Sequence, residues 1–151
     1  MPFSIIFFVY RKPGTSIADF KDHYENRHIP LIRSLAGHDF PTFHIRRYLR
    51  GSDITKDSSD NSEAVSTPAH VLVGAHSDFD YDVVGEWIFE NESAFEACFA
   101  KLGEEDAARR IADDEERFID RERTRAAVLS ERVVSSRSDH QDVSSAQTMD
   151  G

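Results

Sequence analysis

The sequence predicts an α+β fold, a four-stranded antiparallel sheet with helices on one face, in the order β-α-β-β-α-β. Three observations lead there. Segments 3–10, 42–50, 82–90 and 125–134 carry strand composition or alternation, and two segments that repeat at helical spacing separate them in that order. The first strand is apolar on both faces, which places it inside a sheet rather than at an edge. A chain of 151 residues with 39% apolar content also fits one domain with one modest core.

Residues 3–10 mix Ile, Phe, Val and Tyr without alternation, so both faces of this strand need packing partners. Lys12-Pro13-Gly14 then turns the chain, and Ser16 with Asp19 three residues later has the spacing of a helix capping box. Ile17, Phe20, Tyr24 and His28 share one stripe at about 100° per residue, while Asp19, Lys21, Asp22 and Arg27 lie largely off it. His28 is thereby directed inward. Pro30 restricts Ile29 and has no N–H to donate. The regular helix is therefore expected to end near His28, with residues 30–35 adding a turn or short helix before Gly37. Residues 42–50 alternate, with Phe43, Ile45, Arg47 and Leu49 facing one way and His44, Arg46, Tyr48 and Arg50 the other.

From about residue 51 to 68 the chain turns to Ser, Asp, Thr, Lys, Asn and Glu with few large apolar residues, the composition of a mobile insertion. Residues 70–74 offer a short extended piece and 78–81 an entry turn. Val83, Val84, Trp87, Ile88 and Phe89 mark the third strand. Asn91 or Ser93 can cap a second helix carrying Phe95, Phe99 and Leu102, which Gly103 interrupts. Helical pattern then resumes from 104 to about 120, with Ala107, Ala108, Ile111, Glu115 and Phe118 along one side. Weak alternation over 125–134 makes the fourth strand, and the Ser-, Asp- and Gln-rich residues 135–151 are expected to be a disordered tail beyond a domain of residues 1–134. The order is the split pattern of ferredoxin-like folds, in which two helices cover one sheet face. With no third layer in a chain of this size, the other face is expected to be covered by a second subunit in a homodimer.

Eighteen basic against 28 acidic side chains give a net charge of −10, which repels nucleic-acid phosphates and anionic lipid and argues against nucleic acid as a partner. The first apolar run is too short to span a membrane and poorly arranged for a signal peptide, so no membrane association is expected. Cys98 is the only cysteine, excluding an intrachain disulfide and suiting a reducing, cytoplasmic location. Seven histidines occur, yet none forms a His-x-x-x-His pair or a cysteine-assisted cluster, so no metal is expected. No glycine-rich loop follows a strand, and no nucleotide cofactor is expected either.

His28 is the first candidate for chemistry. An imidazole can give or take a proton near neutral pH, and the end of a helix favours its charged form. The plainer alternative is a buried histidine bonded to a carbonyl where Pro30 breaks the helix. His23, towards the side of the helix, reads as a surface or interface residue. His44, Arg46 and Tyr48 share one face of the second strand, a spacing that can project an acid/base, a carboxylate clamp and a phenol into one cavity. The same face can instead meet solvent or a partner, with Arg46 paired to an acid such as Glu86 or Glu90. Trp87 and the phenylalanines either line a slot for a flat ring or fill the core. Asp39 orients a histidine or caps a turn, Cys98 belongs to the core, and the acidic run 104–116 reads as a solvated helix face.

The stretch from Arg11 to Ser16, followed by Phe20-Lys21-Asp22-His23-Tyr24-Glu25-Asn26-Arg27-His28-Ile29-Pro30-Leu31, resembles the opening of the EthD family of dimeric α+β barrels. Val71-Leu72-Val73-Gly74, the segment from Asp78 to Asp82, Glu86-Trp87 and the segment from Asp114 to Asp120 look like the fungal branch of that family. The resemblance spans residues 3 to 134. It implies a cofactor-independent lyase acting on an aromatic polyketide intermediate, first a decarboxylase of a β-keto-type acid, with a dehydratase or cyclase as the rival. On that reading Arg46 orients the carboxyl group, His28 is the acid/base, Tyr48 or His44 polarises the carbonyl, and Tyr24, Trp87 and Phe118 contact the substrate. A non-catalytic barrel binding a hydrophobic small molecule or haem is the alternative of a different class.

Overall fold

The computed structural model describes residues 1–51 and 69–138. The expected insertion, apart from Gly51, and residues 139–151 of the expected tail lie outside them. Strand β1 (Phe3–Val9) is followed by helix α1 (Ile17–His23), a π-helical turn (Tyr24–His28) and helix α2 (Ile29–Ala36). Strands β2 (Phe43–Tyr48) and β3 (Val83–Phe89), helices α3 (Glu92–Leu102) and α4 (Glu105–Glu115), and strand β4 (Arg125–Leu129) complete the β-α-β-β-α-β order.

All strand pairs are antiparallel, in the spatial order β2-β3-β1-β4, and the unalternating apolar strand β1 is internal as its composition requires. The register sets His44 of β2 opposite Trp87 of β3, and Trp87 opposite Ile5 of β1. One face therefore carries Ile5, Val9, Val83, Trp87 and Phe89, all buried under the helices. Ile32, Ala36 and Cys98 close one half of that core, and Phe20, Tyr24, Phe118 and Ile119 the other. Each fully buried Phe side chain contributes about 1.5–3 kcal/mol of transfer free energy. Cys98 is a free thiol in this core, and burial pushes its pKa up to about 11.

Caps form where side chains can meet the open helix ends. Ser16 Oγ accepts from the Asp19 amide at 3.1 Å, and Asn91 Oδ1, rather than Ser93, accepts from the Ala94 amide at 2.8 Å. The expected break at His28 does not occur. The Ile29 amide donates to the Tyr24 carbonyl five residues back, and this wide turn carries the helix past Pro30, which then lies in the first turn of α2, where no amide donor is needed. Gly37, at φ 57°, ends the run.

Three further expectations change. Helix α4 stops at Glu115 instead of about residue 120, because Arg11 forms a bridge with Ile119 that draws the chain back to the sheet. Strand β4 stops at Leu129 instead of 134, and Val133 and Val134 are exposed beyond the reach of its only partner, β1. Asp39 neither caps nor orients a histidine of the site. It accepts from Lys101 Nζ at 3.2 Å, tying the α2 exit to α3.

Candidate active site

The π-helical turn lies over the edge of the sheet formed by β2 and directs Tyr24, Glu25 and His28 inward. His28 is 6% exposed and donates from Nδ1 to Asp114 Oδ2 at 2.8 Å, while His23 donates from Nε2 to the other carboxylate oxygen at 3.0 Å. One carboxylate on α4 thus holds two imidazoles of the first helix. Tyr24 stacks on His28 at 5.7 Å between ring centroids, and Phe118 packs at 5.1 Å from His28 and 4.3 Å from His23. Burial holds the His28 pKa below the usual imidazole value, against the upward pull of Asp114. The expected preference for a charged ring at a helix end is therefore reversed: the helix does not end there, and desolvation dominates.

Asp114 also fixes the tautomer. Since Nδ1 carries the shared proton, Nε2 of the neutral ring has a free lone pair, the form of a general base. His23, expected at the surface, belongs to this network instead, its side chain mostly shielded.

Arg46 does not pair with Glu86 or Glu90. Its Nε and Nη2 grip the two oxygens of Glu25, both at 2.7 Å, and the Tyr48 hydroxyl donates to Glu25 Oε1 at 2.7 Å. The Arg46 bond, seconded by Tyr48, holds the Glu25 carboxyl below the usual carboxylate range, while burial and Glu25 raise the Tyr48 pKa. Arg46, Tyr48 and His44 do share the helix-facing side of β2, as their alternation predicts, whereas Glu86 lies on the other side of the sheet. The rings of Tyr24 and Tyr48 meet edge to face at 6.5 Å, joining the two polar networks.

His44 completes the row. Burial, with the nearby Arg46 charge, pushes its pKa down to about 3, so it is neutral and unsuited to general-acid work at neutral pH. Trp87 stands edge-on to it at 5.5 Å between centroids. Phe118 is 1% exposed and Tyr24 5%, so the surface these two give to the site is to His28 and Tyr48 rather than to solvent.

Two cavities flank these residues. A cleft of about 1030 Å³ has Tyr48, Phe20, Tyr10, Tyr81, Lys12 and Arg123 in its wall, and a smaller cavity of about 230 Å³ has Asp114 with Leu31, Arg110 and Arg117. Neither has His28 in its wall. Of the site residues, Tyr48 reaches the larger of these two cavities and Asp114 the smaller.

Glu25 and Asp114 were not singled out from the sequence. Glu25 is one helical turn before His28, a spacing that puts both on one face. Asp114 was hidden in an acidic run, although Ala107, Ile111, Asp114 and Phe118 follow the spacing of an inward stripe.

The model of the EthD domain matches residues 12–122, well over half of the chain. The chain belongs to the EthD family. An EthD family protein from Bacillus halodurans is similar in fold, with a TM-score of 0.51 at 14% identity, covering 87% of this chain and all (100%) of its own. An EthD-like protein from Ralstonia eutropha gives a TM-score of 0.49 at 17% identity, covering 91% and 96% of the two chains. A NIPSNAP family protein from Agrobacterium tumefaciens gives 0.48 at 10% identity, covering 89% and 98%. None of the curated proteins matches the chain. The EthD match includes every residue of the two hydrogen-bond networks described above, and its boundaries follow the fold: it starts after β1 and stops before β4. Among the described residues of this EthD domain, no helix is long and apolar enough to cross a membrane, and no group of three or more His, Cys, Asp or Glu is arranged to hold a metal ion.

Stability should report how these groups are buried. His28, His44 and Glu25 all have folded-state pKa values below their ordinary ones, so each contributes stability present above its unfolded pKa and lost as pH falls through the folded value. For His44 that window runs from 6.5 down to about 3. The melting temperature is expected to fall steadily from about pH 7 to about pH 4, and less steeply in His44→Phe. An unchanged slope in that variant, measured by calorimetry, would place His44 in water.

Proposed function

We propose that this EthD domain is a cofactor-independent lyase that moves a proton at His28 of an aromatic, polyketide-type small molecule. The observation that carries the reading is the neutral, buried His28 ring held through Nδ1 by Asp114 at 2.8 Å. The aromatic surroundings, and the resemblance of residues 71–120 to the fungal branch of the family, support the substrate class.

Loss of water is favoured over loss of carbon dioxide. A decarboxylase needs a cation free to clamp the substrate carboxylate, and both arms of Arg46 are taken by Glu25. In the dehydration, His28 Nε2 takes the C–H proton next to a ring carbonyl and the β-hydroxyl departs; Tyr48, whose single O–H is given to Glu25, is not the donor to that carbonyl. The proton held by His28 leaves with it as water. One C–H and one C–O bond break and one C=C bond forms, and the resulting enone aromatises when a second ring C–H proton is lost and its carbonyl oxygen gains one.

The same reading includes a cytoplasmic homodimer. On the sheet face away from the helices Phe43 is 61% and Ile45 43% exposed, beside half-buried Ile6, Phe8, Val84 and Ile88. A second copy covering this patch removes it from water.

The test uses a β-hydroxytetralone, which becomes a fluorescent naphthol on losing water. Asp114→Asn keeps the size of the side chain but weakens its hold on Nδ1, and turnover is expected to fall by about 10- to 100-fold. Full turnover in Asp114→Asn would overturn the dyad, and no naphthol from the wild-type protein over the uncatalysed rate would overturn dehydration of this substrate class.

A further inference from the structure

Three buried ring nitrogens in one cross-strand pair have no hydrogen-bond partner among the described residues: Nδ1 and Nε2 of His44 and Nε1 of Trp87. Neither residue is an accident of the surface. Trp87 is 8% exposed in the middle of the core face, and both ring nitrogens of His44 are shut from solvent. Native interiors rarely leave such groups unmatched, and three together in one contact leave a hydrogen-bonding demand that no described residue meets.

The surroundings define the group that would meet that demand. Phe7, Phe40, Phe89 and Phe99 ring the pair, with centroids 5.2 to 6.4 Å from Trp87. Phe7 reaches it by lying over Gly85, where a Cβ would come within 2.9 Å of the Phe7 ring. Phe40, half-buried on the connection from α2 to β2, is the one ring of the four outside a helix or strand. Arg46, the first charge acting on His44, is already neutralised by Glu25. An ion would be desolvated here without a counter-charge, whereas a neutral oxygen on a flat ring matches both the aromatic wall and the nitrogens.

We infer that His44 and Trp87 form the specificity subsite for a neutral phenolic ring. The Trp87 N–H donates to the ligand oxygen, and the ligand hydroxyl donates to the bare nitrogen of His44. The remaining His44 N–H is left for a second oxygen of a polyhydroxylated ring. This subsite rests on the proposed function in that it selects the substrate of the same centre, and it changes the part of His44 from proton transfer to recognition. Sites built to bond a hydroxyl discriminate strongly against the analogue lacking it, because their own polar groups then stay unpaired.

Trp87 is the only tryptophan, so its indole N–H gives a single, self-assigned signal in a proton–nitrogen correlation spectrum. Titration of the full chain with phenol is expected to move that signal downfield and saturably. Toluene, which has a methyl for the hydroxyl, is expected to bind at least tenfold more weakly. His44→Phe and His44→Gln, each first checked for an unchanged melting temperature, are expected to abolish the preference for phenol, and the Gln variant keeps the test alive if the Phe variant fails to fold. The inference is overturned if the indole signal ignores phenol at millimolar concentration, if toluene binds as well as phenol, if the preference survives in a folded His44 variant, or if the indole shows only exchange with a bound water. Because binding is read without turnover, these failures leave the His28 reading standing. A wild-type protein that binds phenol but never dehydrates the tetralone would leave this subsite standing instead.

Discussion

Replacing His28 with Gln is expected to lower turnover of the β-hydroxytetralone by about 10²- to 10⁴-fold, the usual worth of a positioned acid/base group. The imidazole is buried and neutral, so the change removes no charge, and Gln can still donate an amide N–H towards Asp114. A melting temperature close to wild type is therefore the control, with the loss falling on kcat rather than KM. The pH profile supplies a second readout. A base must be unprotonated to act, and burial lowers the His28 pKa, so the acid limb of the wild-type profile should lie below 6.5 and disappear in the variant. Undiminished kcat in a folded His28→Gln protein would take the ring out of the chemistry.

Phe118→Ala is the substitution expected to cost the most stability. Phe118 is fully buried, and its ring packs against Phe20 at 5.6 Å and Tyr24 at 5.8 Å as well as against both imidazoles held by Asp114. Truncating a Phe in such a site costs about 3–5 kcal/mol through lost transfer energy and the cavity left behind. Against a total of about 5–15 kcal/mol for a single domain, this is enough to unfold a substantial part of the population on modest warming. Urea unfolding is expected to show a much lower midpoint with an unchanged slope. A loss under about 1 kcal/mol would mean that the ring is not held in the core. Any activity that survives should fall too, because the ring supports His28 and His23 from beneath.

How far these expectations could be reached from the sequence varies with the range of the interaction. Strand β1 announced its central place by apolar residues on both faces, and the alternation of β2 put His44, Arg46 and Tyr48 on one side, because a period of two is built into extended backbone. The stripe Phe20, Tyr24 and His28 was similarly legible from helical spacing. Pro30 misled: its missing N–H suggested a helix end, yet a single wide turn absorbed it, a choice that depends on the packing of α2 over the sheet rather than on local preference.

What the sequence determined by itself was the β-α-β-β-α-β order, the inward direction of His28 and the company of Arg46 with Tyr48, all consequences of backbone periodicity. Only the tertiary structure decided that Glu25 occupies Arg46, that Asp114 holds both His23 and His28, and that His44 and Trp87 face each other with unmatched nitrogens. Such pairings join residues 21 to 91 positions apart, and no local spacing encodes which carboxylate folds back onto which cation. The protonation of His28 follows the same logic, since desolvation depends on everything packed around a ring and not on where along a helix it stands.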